Sequence, residues 1–255
     1  MLRPSSWGVR AALKALDWLL PPRCLGCGLA GEYLCLACQR QVPPLQPPFC
    51  LRCGQPLPGR GGHGESEAAL CAACRARRPA FDQARSYTLM EGLARKVLHA
   101  LKYRRALGLS PLLAGWLAWL VQREGWPVEV VVPVPLGPQR QRERGYNQAE
   151  WLAWALAKRL GVPFRPDAVL RWRETASQVG LNARERRWNV EGAFRLQGAF
   201  PFRRVLLVDD VMTTGATLDA VAQTLRDQGR VEHIWAVTVA RAVLHHPEAA
   251  ADLAL

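Results

Sequence analysis

Eight cysteines, arranged as four Cys-x-x-Cys pairs, are the residues of this 255-residue chain whose spacing indicates chemistry most directly. Two residues between thiolates allow one tight turn to aim both sulfurs at one ion, and two such turns complete a tetrahedral shell of four ligands. Four thiolates leave no coordination position open for water, so the ion has a structural role. We therefore predict two structural Zn²⁺ sites, formed by Cys24, Cys27, Cys35, Cys38, Cys50, Cys53, Cys71 and Cys74.

The order of the pairs favours one assignment of ligands to ions. Glycine follows the first and third pairs but not the second and fourth, so the segment is a twofold repeat. The repeat favours sequential sites, with residues 24–38 holding one ion and residues 50–74 the other, over an interleaved arrangement. A disulfide scaffold is disfavoured, because the chain shows no secretory signal and reducing compartments rarely keep disulfides. A redox role is disfavoured because such catalysis uses one dithiol on a βα unit.

A second chemical motif is RVLLVDDVMTTGATL at residues 204–218. Its apolar residues predict a buried strand at Val205–Val208 that ends in Asp209 and Asp210, and a Thr- and Gly-rich turn leads into a helix at Thr217–Gln228. Small residues let backbone N–H groups converge on a phosphate at a helix N-terminus. Paired carboxylates can accept hydrogen bonds from vicinal ribose hydroxyls close to a bound Mg²⁺. Because the chain has no Gly-x-x-x-x-Gly-Lys-Ser/Thr loop, this segment predicts a sugar-phosphate site rather than a nucleoside triphosphate site.

The elements that must position this motif alternate between strands and helices after Pro79. Apolar runs and helical spacing predict strands at Ala84–Leu89, Val128–Val134 and Val231–Val239, and helices at Gly92–Tyr103, Leu109–Gln122 and Tyr146–Leu160. The same strand, loop and helix order occurs twice, so both loops lie at carboxyl ends of parallel strands, where open α/β sheets bind ligands. The prediction is an α/β domain at residues 81–255 with a mainly parallel sheet and helices on both faces. A short amphipathic helix at Val9–Leu20 and the cysteine-rich domain occupy residues 1–80.

Composition excludes several classes of protein. A hydrophobic content of 49% excludes a disordered chain, and the longest apolar run, Leu112–Val121, is about half of what a bilayer span needs. The net charge of +13 is compatible with a polyanionic partner. Residues 139–204 hold 14 Lys or Arg and 6 Asp or Glu, so the excess charge is concentrated beside the predicted sugar-phosphate site.

The strand, acidic pair and Thr-rich loop resemble the fingerprint of type I phosphoribosyltransferases, which bind phosphoribosyl pyrophosphate (PRPP). Over nearly its whole length the chain resembles the ComF family, also called GntX, in which a double zinc ribbon precedes a phosphoribosyltransferase-like domain. Shorter motifs in family order support this resemblance: Leu101–Tyr103, Val132–Pro135, Arg144–Gln148, Thr175-x-x-Gln178 and Arg186-x-x-Asn189.

The resemblance implies roles for individual residues. It implies that Asp209 and Asp210 bind the ribose hydroxyls of Mg²⁺–PRPP, and that the 5′-phosphate is bound by Thr213, Thr214, Gly215, Ala216 and Thr217. The loop after Val132–Pro135 would meet pyrophosphate, and residues 175–189 correspond to a flap over the site. The candidates in these two segments are Arg140, Arg144, Gly145, Tyr146, Asn147, Gln148, Thr175, Gln178 and Arg186. Lys102 is a candidate contact to the leaving pyrophosphate, with solvation of a helix end as its alternative.

The ComF family is associated with incoming DNA in natural transformation, which implies a cytoplasmic protein that acts on or with single-stranded DNA. The implied partners are PRPP, single-stranded DNA and DNA-uptake or helicase proteins. A mixture of cations and rings typical of single-strand sites is formed by Arg171, Trp172, Arg173, Arg184, Arg186, Arg187 and Trp188. Its alternative is a solvated basic face with the Trp residues in the core.

Two other functions stay open at this point. One is a metabolic phosphoribosyltransferase of the salvage type, in which zinc is scaffold only. The other is a PRPP-sensing adaptor for nucleic acid that has lost catalysis. The acceptor of any transfer is not identified, because charge stabilisation by Arg, Lys and Mg²⁺ can suffice for the reaction and no general base is required.

Overall fold

A four-stranded parallel sheet forms the centre of the protein. The computed structural model describes residues 2–4, 6–19, 21–57, 70–173 and 192–242. Its strands are β1 (Gln83–Leu89), β2 (Val130–Pro133), β3 (Val169–Arg171), β4 (Phe194–Leu196), β5 (Arg204–Met212) and β6 (His233–Arg241). The parallel sheet has the order β1-β6-β5-β2, and β3 and β4 form a separate antiparallel pair. The central strands β5 and β6 are largely buried, as strands covered on both faces must be.

Helices cover both faces of this sheet. The α-helices of the described residues are α1 (Trp7–Leu19), α2 (Leu36–Gln39), α3 (Ala72–Ala76), α4 (Gly92–Tyr103), α5 (Ser110–Glu124), α6 (Pro138–Arg144), α7 (Gln148–Leu160) and α8 (Ala216–Gly229), of which α4, α5, α7 and α8 cover the sheet. One apolar cluster packs α4, α5 and α7 against Leu206 and Val208. The other packs α8 against Val205 and Leu207. Successive residues of β5 thus point to opposite faces of the sheet. The helices on both faces and the parallel pairing of the four strands confirm the predicted α/β fold with a mainly parallel sheet.

Two predictions about local structure were wrong. The strand predicted to end at Val208 continues to Met212, because β6 pairs with it that far, with Asp209 opposite Thr238. The carboxylates therefore belong to the strand. The charged segment after β2, predicted to be a loop, contains α6, which begins with Pro138, ends at Arg144 and is followed by Gly145 in the left-handed conformation.

The cysteine-rich region packs against the β1 side of the sheet. The segment between its two halves runs beside the edge of β1, where Leu45 N donates to Tyr87 O at 2.6 Å, and the second half continues along this edge, where Ala84 N donates to Arg52 O at 2.7 Å. Cys24, Cys35 and Cys38 join the first apolar cluster, whereas Cys50, Cys53 and Cys74 join the second. The two halves thus contribute to different cores. The division at residue 80 stays a prediction.

Within the described residues, no helix combines the length and the apolar character needed to cross a bilayer. The amphipathic helix predicted at Val9–Leu20 corresponds to α1.

Candidate functional site

The junction of β5 and α8 builds the centre of the candidate site. After Met212 the chain turns through Thr213 and Thr214, and Gly215 adopts a φ of 80° immediately before α8. This left-handed conformation favours glycine, because any L side chain is strained there, and a Cβ on Gly215 would also displace Cε of Met212, which lies 2.5 Å from its position. We call residues 213–217 the phosphate loop. Its position at the start of a 14-residue helix gives it the positive end of the helix dipole.

A cleft of about 190 Å³ lies over this junction. Its floor includes Asp209 and Asp210 on β5, and its walls come from the α4 end, α6, the start of α7 and β3. Its charged lining residues are Lys102, Arg140, Arg144, Arg171, Asp209 and Asp210. Lys102 Nζ lies 3.2 Å from Asp210 Oδ2, so the last turn of α4 supplies a cation directly to the acidic pair. In the part of the chain that the structure describes, four cations against two carboxylates make the cleft suited to a polyanion.

The two carboxylates have different environments. Burial disfavours the charged form of Asp209, and the adjacent Asp210 carboxylate adds like charge, so the pKa of Asp209 is raised to about 8. The Asp210 backbone N–H donates to Asp209 Oδ1 at 2.8 Å and partly offsets this effect. Asp210 is the member of the pair that contacts Lys102. Asp209 therefore releases its proton at a higher pH than an ordinary Asp does.

This raised pKa implies a dependence of stability on pH. Between the ordinary pKa of an Asp and about 8, the native state keeps a proton that the unfolded chain has released, so the free energy of unfolding falls as pH rises. Asp209→Asn removes this loss and keeps an oxygen that can accept from the Asp210 N–H. We expect the variant to match the wild type near pH 4 and to exceed it by about 2 kcal/mol at pH 8, measured by urea unfolding.

Asp227→Asn is the matched control for this measurement, because it removes an exposed carboxyl from α8. Its free energy of unfolding should stay within about 0.5 kcal/mol of the wild type at every pH. A wild-type protein that gains stability relative to Asp209→Asn between pH 4 and pH 8 would contradict the expected burial effect.

The segment from Arg144 to Gln148 forms the opposite wall. Asn147 caps α7 by accepting from Ala149 N, and its Nδ2 donates to Val134 O at 3.0 Å, which ties the start of α7 to the end of β2. Gln148 lines the cleft with a buried side-chain amide, which lies beside the Tyr146 hydroxyl but whose Nε2 makes no well-aligned hydrogen bond among the described residues. A ligand oxygen in the cleft can therefore serve as its acceptor. Arg144 lies over the Tyr103 ring at 5.0 Å.

The structure brings most of the predicted site residues together in the described part of the chain. The cleft is lined by Lys102, Arg140, Arg144, Asn147, Gln148, Asp209, Asp210, Thr213, Gly215, Ala216 and Thr217. Three others support the walls from outside the lining. Thr214 Oγ1 accepts from Ala216 N, Tyr146 Oη donates to Leu101 O, and Gly145 ends α6. Thr175, Gln178, Arg184, Arg186, Arg187 and Trp188 lie outside the described residues.

Arg171 lines the cleft, whereas the sequence pattern places it with Trp172 in a nucleic-acid surface. It lies on β3, where Val169 and Arg171 are buried and Leu170 is exposed. Strand alternation therefore separates Arg171, which lines the cleft, from Trp172, which is 47% exposed. The only local signal in the sequence is the short apolar segment Ala168–Leu170 before Arg171, and the pairing of β3 with β4 is needed to assign its faces.

The cysteines form two compact groups. Residues 24, 27, 35 and 38 make one group and residues 50, 53, 71 and 74 the other, each with its sulfurs within 4.8 Å of one another. The Cys27 and Cys35 sulfurs are 3.7 Å apart, and those of Cys53 and Cys71 are 3.6 Å apart. Tetrahedral zinc with Zn–S bonds of about 2.3 Å requires sulfurs about 3.8 Å apart, so both groups fit the ion. Sequential assignment of the pairs is confirmed.

Comparison with known proteins agrees with both halves of this description. A model of the double zinc ribbon domain matches residues 15–75, and a model of the phosphoribosyl transferase domain matches residues 147–252. Competence protein F of Haemophilus influenzae is 34% identical over 233 residues, which cover 86% of this chain and 97% of that protein. The chain belongs to the ComF family.

Other relatives also match most of this chain and most of their own length. DNA utilization protein YhgH of Salmonella typhi is 31% identical over 208 residues, covering 79% of this chain and 88% of the relative. Competence protein ComFC of Bacillus subtilis is 25% identical over 219 residues, covering 82% and 85%. The resemblance to the ComF family seen in the sequence is confirmed. The two cysteine groups are the structural zinc sites of the double zinc ribbon, called below the first and second zinc sites in chain order.

Proposed function

We propose that this ComF-family protein binds Mg²⁺–PRPP in the cleft and acts on or with single-stranded DNA during DNA uptake, in the cytoplasm. The observation that carries the proposal is the cleft itself, where an acidic pair, a helix N-terminus and cations from separate elements converge. We retain the boundary at residue 80 between the zinc domain and the PRPP domain as part of this proposal.

Each part of PRPP has a complementary set of groups in the cleft. The 5′-phosphate would lie on the phosphate loop, where backbone N–H groups and Thr hydroxyls are donors. The ribose hydroxyls would donate to Asp209 and Asp210, which become good acceptors when ionised. The pyrophosphate would lie among Lys102, Arg140 and Arg144, with Arg171 and the Gln148 amide as further donors. Mg²⁺ prefers carboxylate and phosphate oxygens, so it would be held between the acidic pair and pyrophosphate.

Transfer is the second part of the proposal. In that reaction the bond from ribose C1 to a pyrophosphate oxygen breaks with its electron pair on pyrophosphate, and an acceptor forms a bond to C1 and releases its proton. The contribution of this chain is to hold pyrophosphate among cations, which stabilises the charge that develops as it leaves. The acceptor is to be found by experiment.

Isothermal titration of the zinc-loaded protein with PRPP and Mg²⁺ tests the binding proposal. We expect saturable heat with one site per chain, and weaker binding of ribose 5-phosphate, which lacks the pyrophosphate that the cations would contact. No heat from folded protein with two bound zinc ions would reject it. Pyrophosphate release in the presence of free bases would support the salvage enzyme instead, and release that requires single-stranded DNA would support transfer to DNA.

A surface suited to single-stranded DNA lies beside the cleft. Leu170 and Trp172 are 45% and 47% exposed, and Leu170 lies opposite Arg195 in the β3–β4 pair. The Arg195 guanidinium lies 4.3 Å from the centre of the Trp172 ring. An exposed ring with an adjacent cation is how sequence-independent single-strand sites bind bases and backbone together. We define Leu170, Trp172 and Arg195 as the hairpin face and include it in the proposal.

Trp172→Ala is expected to weaken binding of a single-stranded oligonucleotide by about 5- to 150-fold, because one base stack is worth about 1–3 kcal/mol. Fluorescence anisotropy over a range of salt concentrations measures this effect. The matched control is Trp119→Ala, since Trp119 is 39% exposed on α5 and also carries a guanidinium, that of Arg123, over its ring. Equal losses in the two variants would reject the hairpin face, and salt-independent affinity would reject DNA binding through phosphates.

A further inference from the structure

Arg241 is buried at the end of β6, with its guanidinium against the second zinc site. Nη1 donates to Cys53 O at 2.6 Å, Nε donates to Gln55 Oε1 at 3.0 Å, and Nη2 lies 3.9 Å from Cys53 Sγ. Only 3% of the residue is exposed. Within the described residues, these contacts include no carboxylate. A buried guanidinium needs a compensating negative charge, so its counter-charge has to come from another source.

The second zinc site provides that charge. Four thiolates around one Zn²⁺ carry a net charge of about −2. The distances between its sulfurs fit tetrahedral zinc, and Cys50 and Cys53 are buried like Arg241. A buried cation and a buried anionic cluster in contact compensate one another, whereas either one by itself is costly.

The backbone of Arg241 is connected to the phosphate loop through its neighbour Met212 on β5. Arg241 lies opposite Met212 in the β5–β6 pairing, and Ala242 N donates to Met212 O at 3.0 Å. The Met212 side chain packs beneath Gly215 of the phosphate loop. Met212, Ala216 and Leu218 share one apolar cluster with Cys50, Cys53 and Cys74, whereas the first zinc site belongs to the opposite cluster.

We infer that Arg241 is the buried counter-ion of the second zinc site and couples the occupancy of that site to the geometry of the phosphate loop. The first half concerns zinc, and the second half rests on the proposed PRPP binding. Loss of this ion leaves Arg241 without its counter-charge, and the strand end that supports Met212 then rearranges. Because coupling between two binding equilibria is reciprocal, PRPP also strengthens zinc binding at the second site.

Arg241→Met tests the inference, with Arg85→Met as matched control. Arg85 is equally buried, donates to Leu51 O of the same zinc-ribbon segment and pairs with Glu124, but its described contacts include no sulfur. Zinc affinity is measured by chelator competition, with pulsed alkylation and mass spectrometry to identify which cysteines have lost the ion. We expect Arg241→Met to lower zinc affinity by about 10- to 100-fold at Cys50, Cys53, Cys71 and Cys74 and to leave the first site unchanged.

The second half is measured by titration with PRPP, for which we expect at least about a 5-fold loss of affinity in Arg241→Met and none in Arg85→Met. Arg241→Lys keeps the positive charge, so it should bind zinc at the second site more tightly than Arg241→Met. This variant also allows the role of the charge to be tested if Arg241→Met does not fold. Unchanged zinc affinity at the second site, or an equal loss of zinc affinity in Arg85→Met, rejects Arg241 as the counter-ion. Weaker zinc binding with unchanged PRPP affinity rejects the coupling between the second zinc site and the phosphate loop. Wild-type protein that binds no PRPP rejects the proposed function, and the zinc measurement still decides the counter-ion.

Discussion

Replacing both carboxylates of the acidic pair, as Asp209→Asn/Asp210→Asn, is expected to lower the affinity for PRPP by at least about 100-fold. Each ionised carboxylate that accepts from a ribose hydroxyl contributes about 1.5–3 kcal/mol, and two such hydrogen bonds correspond to at least a 100-fold change in Kd. The Asn side chains of the double variant also lack the negative charge that would help to hold Mg²⁺. Isothermal titration in excess Mg²⁺ measures the change.

The stability of these variants separates lost binding from lost folding. Asp209→Asn relieves the cost of burying a carboxylate whose pKa is raised, so it should be at least as stable as the wild type at pH 8. A folded variant without PRPP affinity therefore identifies the pair as ligand-binding. Asp227→Asn on the exposed face of α8 should bind PRPP normally. Wild-type affinity in the double variant would remove the acidic pair from the site and with it the assignment of the cleft.

The features of this fold that were visible in the sequence depend on local patterns. The helix at Gly92–Tyr103 has the predicted bounds, because its apolar residues recur at helical spacing and no proline or glycine interrupts it. The zinc ligands were visible because two-residue spacing is itself the geometry of a zinc knuckle. The acidic pair and the phosphate loop were visible because strand, turn and helix follow one another without interruption.

The features that were not visible depend on contacts between distant segments. The extension of β5 through Asp209 to Met212 requires β6 as a partner, which lies more than 20 residues further along the chain. Arg171 and Trp172 are neighbours in sequence, which suggests one surface, yet the pairing of β3 with β4 places them on opposite faces. The separation of the two zinc sites between two apolar clusters depends on how the cysteine-rich region packs on the sheet. No periodicity within residues 24–74 encodes that packing.

Removal of zinc is expected to have the largest effect on stability. The described cysteine-rich segments hold two short helices, of 4 and 5 residues, which are too short to be stable without tertiary support. Metal binding by structural zinc sites contributes on the order of 10 kcal/mol of folding free energy. Because buried cysteines of both sites are part of the apolar clusters, chelation should expose both cores and lower the melting temperature by well over 10 °C. Metal analysis of the native protein should give two zinc ions per chain.

Cys38→Ser and Cys50→Ser separate the two contributions, since each removes one deeply buried ligand from a different site. Each variant should retain one zinc ion and lose several kcal/mol of stability in thermal unfolding, and added zinc should not restore it. Only Cys50 shares an apolar cluster with the phosphate loop, so PRPP affinity in protein that remains folded should fall in Cys50→Ser and persist in Cys38→Ser. Full stability after complete chelation would contradict a structural role for zinc. Equal loss of PRPP affinity in both variants would instead show that the two zinc sites support the cleft through the fold as a whole.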